Sequence, residues 1–273
     1  MDFDPLTADF PQRLEFDEEQ EAQAQGKSEP CSPLVLWAMG EQTQLSDGCM
    51  KVAQLVIGCS RDWLALLRLA PCKLEIAGSI IVVDHSLAGV CLQPHLKDST
   101  CLSVRVNGQS SLLLLCQYAV PDEQAVLWAE AVYSAIRPEQ TLIFASQPSR
   151  NYSIDNSEDP SCYMLNTDQA RSAASHADRA CDIPLLPAGQ LLTGLPAALL
   201  SLCQVRQLKA TLLVSDQAGG QHTRLRQLQS SLAILLKALP GSWNWLNLGE
   251  DIVRKAAKDL EAASPSTRAS LYA

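Results

Sequence analysis

The side chains of this chain that could do chemistry are four histidines, ten cysteines and a few carboxylates that close apolar runs. His85, His95, His176 and His222 stand far apart, and none has an acidic partner at a recognisable motif spacing. His85 follows Asp84 at the end of an apolar run, but neighbours on an extended chain point to opposite faces, so the pair does not form a catalytic dyad. Asp84 and Asp216 fall where open α/β sheets take small ligands, and an enzyme would place them there. As ordinary loop carboxylates they need no function. The chain has no G-x-S-x-G, no phosphate loop and no G-x-G-x-x-G, and Gly108-Gln109-Ser110 lacks the second glycine such a turn would use. The cysteines at 31, 49, 59, 72, 91, 101, 116, 162, 181 and 203 form no C-x-x-C pair and have no histidine at ligand spacing. They are expected to be reduced, mostly buried apolar residues, with no metal, no cofactor and no catalytic residue.

A different kind of chemistry lies at the end of the sequence. Leu271, Tyr272 and Ala273 present an apolar side chain, a phenol and a carboxylate on a Ser264-Pro265-Ser266-Thr267-Arg268 tether. Such a tail suits a groove on another protein, where the carboxylate would meet a cation such as a lysine. Burying the Leu and the Tyr is worth about 2 kcal/mol each, and a charge-assisted hydrogen bond roughly 1.5 to 3. Ordering the backbone costs about 1 to 2 kcal/mol per residue, so the tail alone binds weakly and gains by a folded body docking beside it. A frayed terminus would look the same in these three residues alone.

The elements that would carry such a tail read as one α/β domain over residues 31–263. The formal net charge of -9 is concentrated at the start, because Met1 to Glu29 holds nine acidic and two basic residues and so accounts for -7. Residues 1–30 are therefore expected to be an acidic disordered tail, and residues 264–273 a flexible one. The nearly neutral remainder shows no basic cluster for nucleic acid and nothing that recruits a membrane. Asp2 and Asp4 stand where an export signal would be basic, and no apolar run approaches the roughly 20 residues of a membrane span. These features predict a soluble cytoplasmic chain.

Strands are expected at Leu34 to Met39, Val52 to Ile57, Ser79 to Val83, Leu102 to Val106, Leu112 to Tyr118, Thr141 to Ala145 and Thr211 to Val214. Several are apolar throughout, as in strands covered on both faces. Helices are expected at Pro121 to Ile136, Leu195 to about Gln207, Thr223 to Leu239 and Gly249 to about Ala263. The leucines of the third, ending at Pro240-Gly241, suit the core better than a partner helix. The pattern predicts three layers, helix, sheet and helix, around a mixed, mostly parallel sheet, with a Ser- and Asn-rich surface insertion at about 147–181.

Several of these segments carry a resemblance. Leu185-Leu186-Pro187, then Leu195-Pro196-Ala197-Ala198-Leu199-Leu200-Ser201-Leu202-Cys203-Gln204-Val205 and the strand Ala210 to Ser215, resemble the core motif of the proteasome assembly chaperones. Cys116-Gln117 followed by Asp122-Glu123-Gln124 and Trp128 resembles the corresponding segment of that family, and Leu271-Tyr272-Ala273 matches its hydrophobic-Tyr-X ending. The resemblance implies an α/β fold related to archaeal proteasome chaperones and distantly nucleoside-phosphorylase-like, without enzymatic activity. It also implies a heterodimer with proteasome assembly chaperone 2 that binds the outer face of the ring of proteasome α-subunits, in the cytoplasm and the nucleus. There the terminal triplet would enter a pocket between neighbouring subunits, promoting ring assembly and blocking premature docking of regulators. Contacts from Lys51 to Gln109 and from Asn151 to Ala180 have no counterpart to carry over. The competing reading is a cytosolic enzyme on a nucleoside-phosphorylase-like scaffold, with Asp84 and Asp216 at its site.

Overall fold

The computed structural model describes residues 32–38, 45–46, 48–81, 101–106, 110–147, 162–173, 182–187, 190–217, 220–239 and 243–262. The expected tails, 1–30 and 264–273, lie outside them. So do Asp84, His85, His95 and His176.

Among the described residues nine strands form one sheet: β1 Leu34–Trp37, β2 Leu45–Ser46, β3 Cys49–Gly58, β4 Leu74–Ile81, β5 Cys101–Val106, β6 Ser111–Cys116, β7 Ile136–Gln147, β8 Cys162–Asn166 and β9 Ala210–Asp216. Their order is β1-β4-β5-β6-β3-β7-β9-β8, with β2 paired to β3. β6, Ser-Leu-Leu-Leu-Leu-Cys, is buried along its whole length because it lies between β5 and β3 and is covered on both faces. Its side chains alternate, with Leu113 and Leu115 in one core and Leu112 and Leu114 in the other. β7 carries Pro138 without penalty, since at that point only β3 pairs with it and β9 joins from Thr141 onward.

Among the described residues six helices cover the sheet: α1 Arg61–Leu67, α2 Ala125–Ala135, α3 Asp168–Ala173, α4 Gly194–Val205, α5 Gln221–Ala238 and α6 Glu250–Ala262. α1, α5 and α6 fill one core through Trp63, Leu66, Leu225, Leu232, Leu235, Val253 and Ala256. α2 and α4 fill the other through Trp128, Val132, Leu199 and Cys203. This is the expected three-layer arrangement, and the leucines of α5 are core residues as read.

Three expectations are corrected. The sheet is mixed, but not mostly parallel: among the described strands only β3–β6, β3–β7 and β7–β9 run parallel. The antiparallel pairs are β1–β4, β2–β3, β4–β5, β5–β6 and β8–β9. Residues 147–181 are not wholly a surface insertion, because β8 extends the main sheet beside β9 and α3 follows it. The helix expected from Pro121 begins four residues later, after a single 3-10 turn at Asp122–Gln124, and Pro121 itself is extended with ψ 145°.

Candidate functional site

The parallel strands β3, β6, β7 and β9 end together, and that edge is where an α/β sheet offers a binding crevice. Three serines that close or follow strands meet there. Ser60 Oγ lies 2.8 Å from Ser146 Oγ, Ser146 Oγ lies 2.7 Å from Ser215 Oγ, and Ser215 Oγ donates to the Ala145 carbonyl at 3.2 Å. Each hydroxyl has one proton, so the chain has one sense: Ser60 donates to Ser146, and Ser146 to Ser215. It ends on a backbone carbonyl, which cannot take the proton away, so these hydroxyls tie three strand ends together and do not make an activated nucleophile.

Other residues of the edge make structural contacts. Trp63 Nε1 donates to the same Ala145 carbonyl at 3.2 Å while its ring stacks on Phe144 at 4.5 Å. Asp62 in α1 pairs with Arg224 in α5 at 3.1 Å in a mostly buried position, and Arg224 Nη1 donates to the Gln217 carbonyl at 3.1 Å. Gln147 Nε2 donates to the Leu191 carbonyl at 2.6 Å, drawing the chain before α4 across the end of β7. Gly194 opens α4 with φ +69°, and a Cβ there would meet Asp122 Oδ1 at 2.8 Å, so only glycine fits. Asp216, expected as a strand-end carboxylate, does close β9, and His222 stands exposed in the first turn of α5.

Burial and neighbouring groups push several of the thiols up. Cys203 donates to Tyr133 Oη at 2.9 Å, and burial pushes its thiol up to about 11. Tyr133 is also held well above its ordinary range by burial and by the same thiol. Cys101 and Cys116 sit opposite each other on β5 and β6 with sulfurs 3.7 Å apart. The hydrogen bond from Cys116, then burial, pushes Cys59 up, and the bond to Cys101 leads the rise of Cys116. A thiol kept protonated is a poor nucleophile and a poor metal ligand. The described cysteines are all free, and most are buried. Among the described residues no group of His, Cys, Asp and Glu has the geometry to hold a metal ion, and no helix is long and apolar enough to cross a membrane.

Sequence reasoning did not anticipate the serine chain: each member stands at the end of an apolar run, but only the pairing of β3, β7 and β9 brings the three together. Leu271, Tyr272 and Ala273 lie outside the described residues, so no geometry bears on them.

Comparison with known structures first defines the class. The mixed-sheet α/β fold is shared with a protein of unknown function from Thermoplasma acidophilum, at a TM-score of 0.57 and 10% identity over 81% of this chain and 88% of that one. It is shared as well with Pyrococcus furiosus PbaB, an archaeal proteasome activator, at a TM-score of 0.54 and 11% identity over 85% and 97%. The family follows from the sequence: the PAC1 family, described as proteasome assembly chaperone 4, matches residues 73–237, more than half of the chain. The chain belongs to this proteasome assembly chaperone family. A Nematostella vectensis protein named proteasome assembly chaperone 1 is 30% identical over 123 residues, 40% of this chain. The match spans 46% of that relative's length.

Proposed function

We propose that this chain is a non-enzymatic chaperone of 20S proteasome core-particle assembly. The observation that carries the reading is the family match, which runs from β4 into α5 and so covers most of the folded body. In this reading it pairs with proteasome assembly chaperone 2, and the pair sits on the outer face of the α-subunit ring in the cytoplasm and nucleus. Leu271 and Tyr272 fill an apolar slot between neighbouring α-subunits, and the Ala273 carboxylate pairs with a lysine there. Occupation of that face favours ring closure and keeps regulators off until the ring is complete. The serine chain supports a non-enzymatic role, since its last proton rests on the Ala145 carbonyl.

The test uses recombinant α-subunits and the purified chaperone pair, with full-length chain or chain lacking Leu271 to Ala273. The truncation is expected to weaken capture of α-subunits at least about tenfold, the loss of one buried Leu and Tyr anchor, while leaving the pair intact. Equal capture by both would remove the tail from the mechanism. Absence of capture by the full-length pair would remove the chaperone reading.

A further inference from the structure

A long polar side chain at a protein surface ordinarily buries its stem and turns its polar end to water. The chain that leaves β6 does the reverse. Gln117, Tyr118 and Gln124 are half-buried, yet Gln117 Nε2 and Oε1, Tyr118 Oη and Gln124 Oε1 are turned away from solvent and make no hydrogen bond among the described residues. Trp128, one turn on from Gln124 and 0% exposed, holds its indole N–H in the same state. More than half of the buried side-chain polar atoms without a hydrogen bond among the described residues lie in this one stretch. Each such atom costs free energy unless something pairs with it, so a concentration of them points to a shared occupant.

The stretch stands where the topology makes room for one. β3 and β6 are neighbouring parallel strands, but β3 leads into α1 on one face of the sheet and β6 into α2 on the other. Chain that leaves two adjacent strand ends in opposite directions opens a crevice between them, the place where α/β sheets take ligands. Extending the pairing of Gly58 with Leu115 sets Ser60 beside Gln117, and alternation puts Gln117 on the α1 side with Leu113 and Leu115. Tyr118 packs on the α2 side, with Trp128 next to its phenol. Ser60 gives its proton to Ser146 and can still accept one. The strand ends are thus ringed by donors from Gln117, Tyr118 and Trp128 and by acceptors from Gln117, Gln124 and Ser60. None of these carries charge, since burial, then the Cys101 and Cys116 thiols, hold the Tyr118 phenol above its ordinary value and keep its proton on.

We infer that the crevice over the ends of β3 and β6 is a binding site for a small uncharged molecule with an amide edge, a lactam or cyclic imide, whose N–H and C=O pair with Gln117 Oε1 and Nε2. The groups present select that class. A carboxylate, phosphate or ammonium would be buried among them without a counter-charge, at a cost neutral groups do not offset. A hydrocarbon would leave the same polar ends unpaired. The Gln117 side chain offers one donor and one acceptor in a plane, and a ligand carrying the complementary pair satisfies both at once. Binding at this site requires no chaperone partner and makes or breaks no covalent bond.

The test is a titration of the full chain with 2-pyrrolidone, read by saturation-transfer NMR, beside cyclopentanone, which keeps the ring and carbonyl and lacks the N–H. The lactam is expected to bind at millimolar concentration and the ketone at least about tenfold more weakly. In Gln117→Leu the preference for the lactam is expected to vanish. Without ligand, the thermal midpoint of that variant is expected to equal or exceed the wild-type value, because the substitution removes a buried donor and acceptor that make no hydrogen bond among the described residues. Gln117→Met, closer in shape, gives the same reading should leucine not fit. Equal affinity of wild type for lactam and ketone, or binding of neither with ordered water as the sole occupant, would overturn the inference. So would an unchanged lactam preference in both variants. Midpoints several degrees below wild type in both would show the amide to be paired already, and would overturn it as well.

Discussion

Gln207 ends α4 with φ 56°, in the left-handed region that costs an L-residue about 1 to 2 kcal/mol. The position is required by the cap: the Leu208 N–H reaches back to the Cys203 carbonyl at 2.8 Å, closing the helix as a Schellman-type turn usually made by glycine. The Gln207 side chain compensates only with exposed contacts to Gln169 and Gln204. Gln207→Gly is therefore expected to raise stability by about 0.5 to 1 kcal/mol, the strain removed less the entropy glycine adds to the unfolded chain, read as a higher urea midpoint at unchanged slope. One turn earlier, the Cys203–Tyr133 pair gives the molecule an alkaline limit. Below the ordinary thiol value of 9.0 both folded and unfolded chains keep the proton. Between 9.0 and about 11 the unfolded chain gives it up and the folded chain retains it, so stability falls as pH rises through that window. Cys59, Cys116 and Tyr133 are shifted in the same direction and add to the loss. Thermal midpoints are expected to drop between pH 9 and pH 10.5, and less steeply in Cys203→Ala.

At the scale of elements, the outer part of the sheet depends on one glycine. β4 has a bulge between Ile76 and Gly78, and β1 lies so close that a Cβ on Gly78 would overlap the Leu36 carbonyl oxygen. Gly78→Ala is expected to detach β1 before the rest of the sheet melts, seen as early hydrogen exchange at Val35 to Trp37 with the amides of β6 still protected. How legible these elements were in the sequence follows from their physics. β6 is a run of four leucines, β9 holds the apolar Leu212 to Val214, and α2, α4, α5 and α6 carry long stripes, so each was recognisable. α1 has only seven residues, too few for a stripe to stand out, although Trp63, Leu64, Leu66 and Leu67 all face the core. β8 is a five-residue edge strand in a Ser- and Asn-rich region, and it exists because β9 presents an open edge, which is a tertiary fact. The antiparallel pairing of β5 with β6 is dictated by the length of chain between them. Val106 and Leu112 are too close in sequence for a crossover, which needs a dozen or more residues, so β5 and β6 had to form an antiparallel pair. The serine chain was not legible, because serines at strand ends are common and only the parallel register brings these three together.

For the whole molecule, the proposed division of labour is between a weak terminal anchor and a rigid body that multiplies it. A peptide covering residues 264–273 must order its own backbone on binding, at about 1 to 2 kcal/mol per residue, and recovers only the burial of Leu271 and Tyr272 and one charged contact. Attached to a body already seated on the ring, the same residues bind at an effective concentration in the millimolar range, and avidity rises by about a hundred to ten thousandfold with no new contact. The free peptide is therefore expected to compete with the chaperone pair for α-subunits only at millimolar concentration. The pair lacking its last three residues should retain measurable affinity through the body, and adding free peptide to that truncated pair should not restore the loss. Competition by the peptide at micromolar concentration would move the binding energy from the body to the tail, and the body would then serve to deliver the tail and not to hold it.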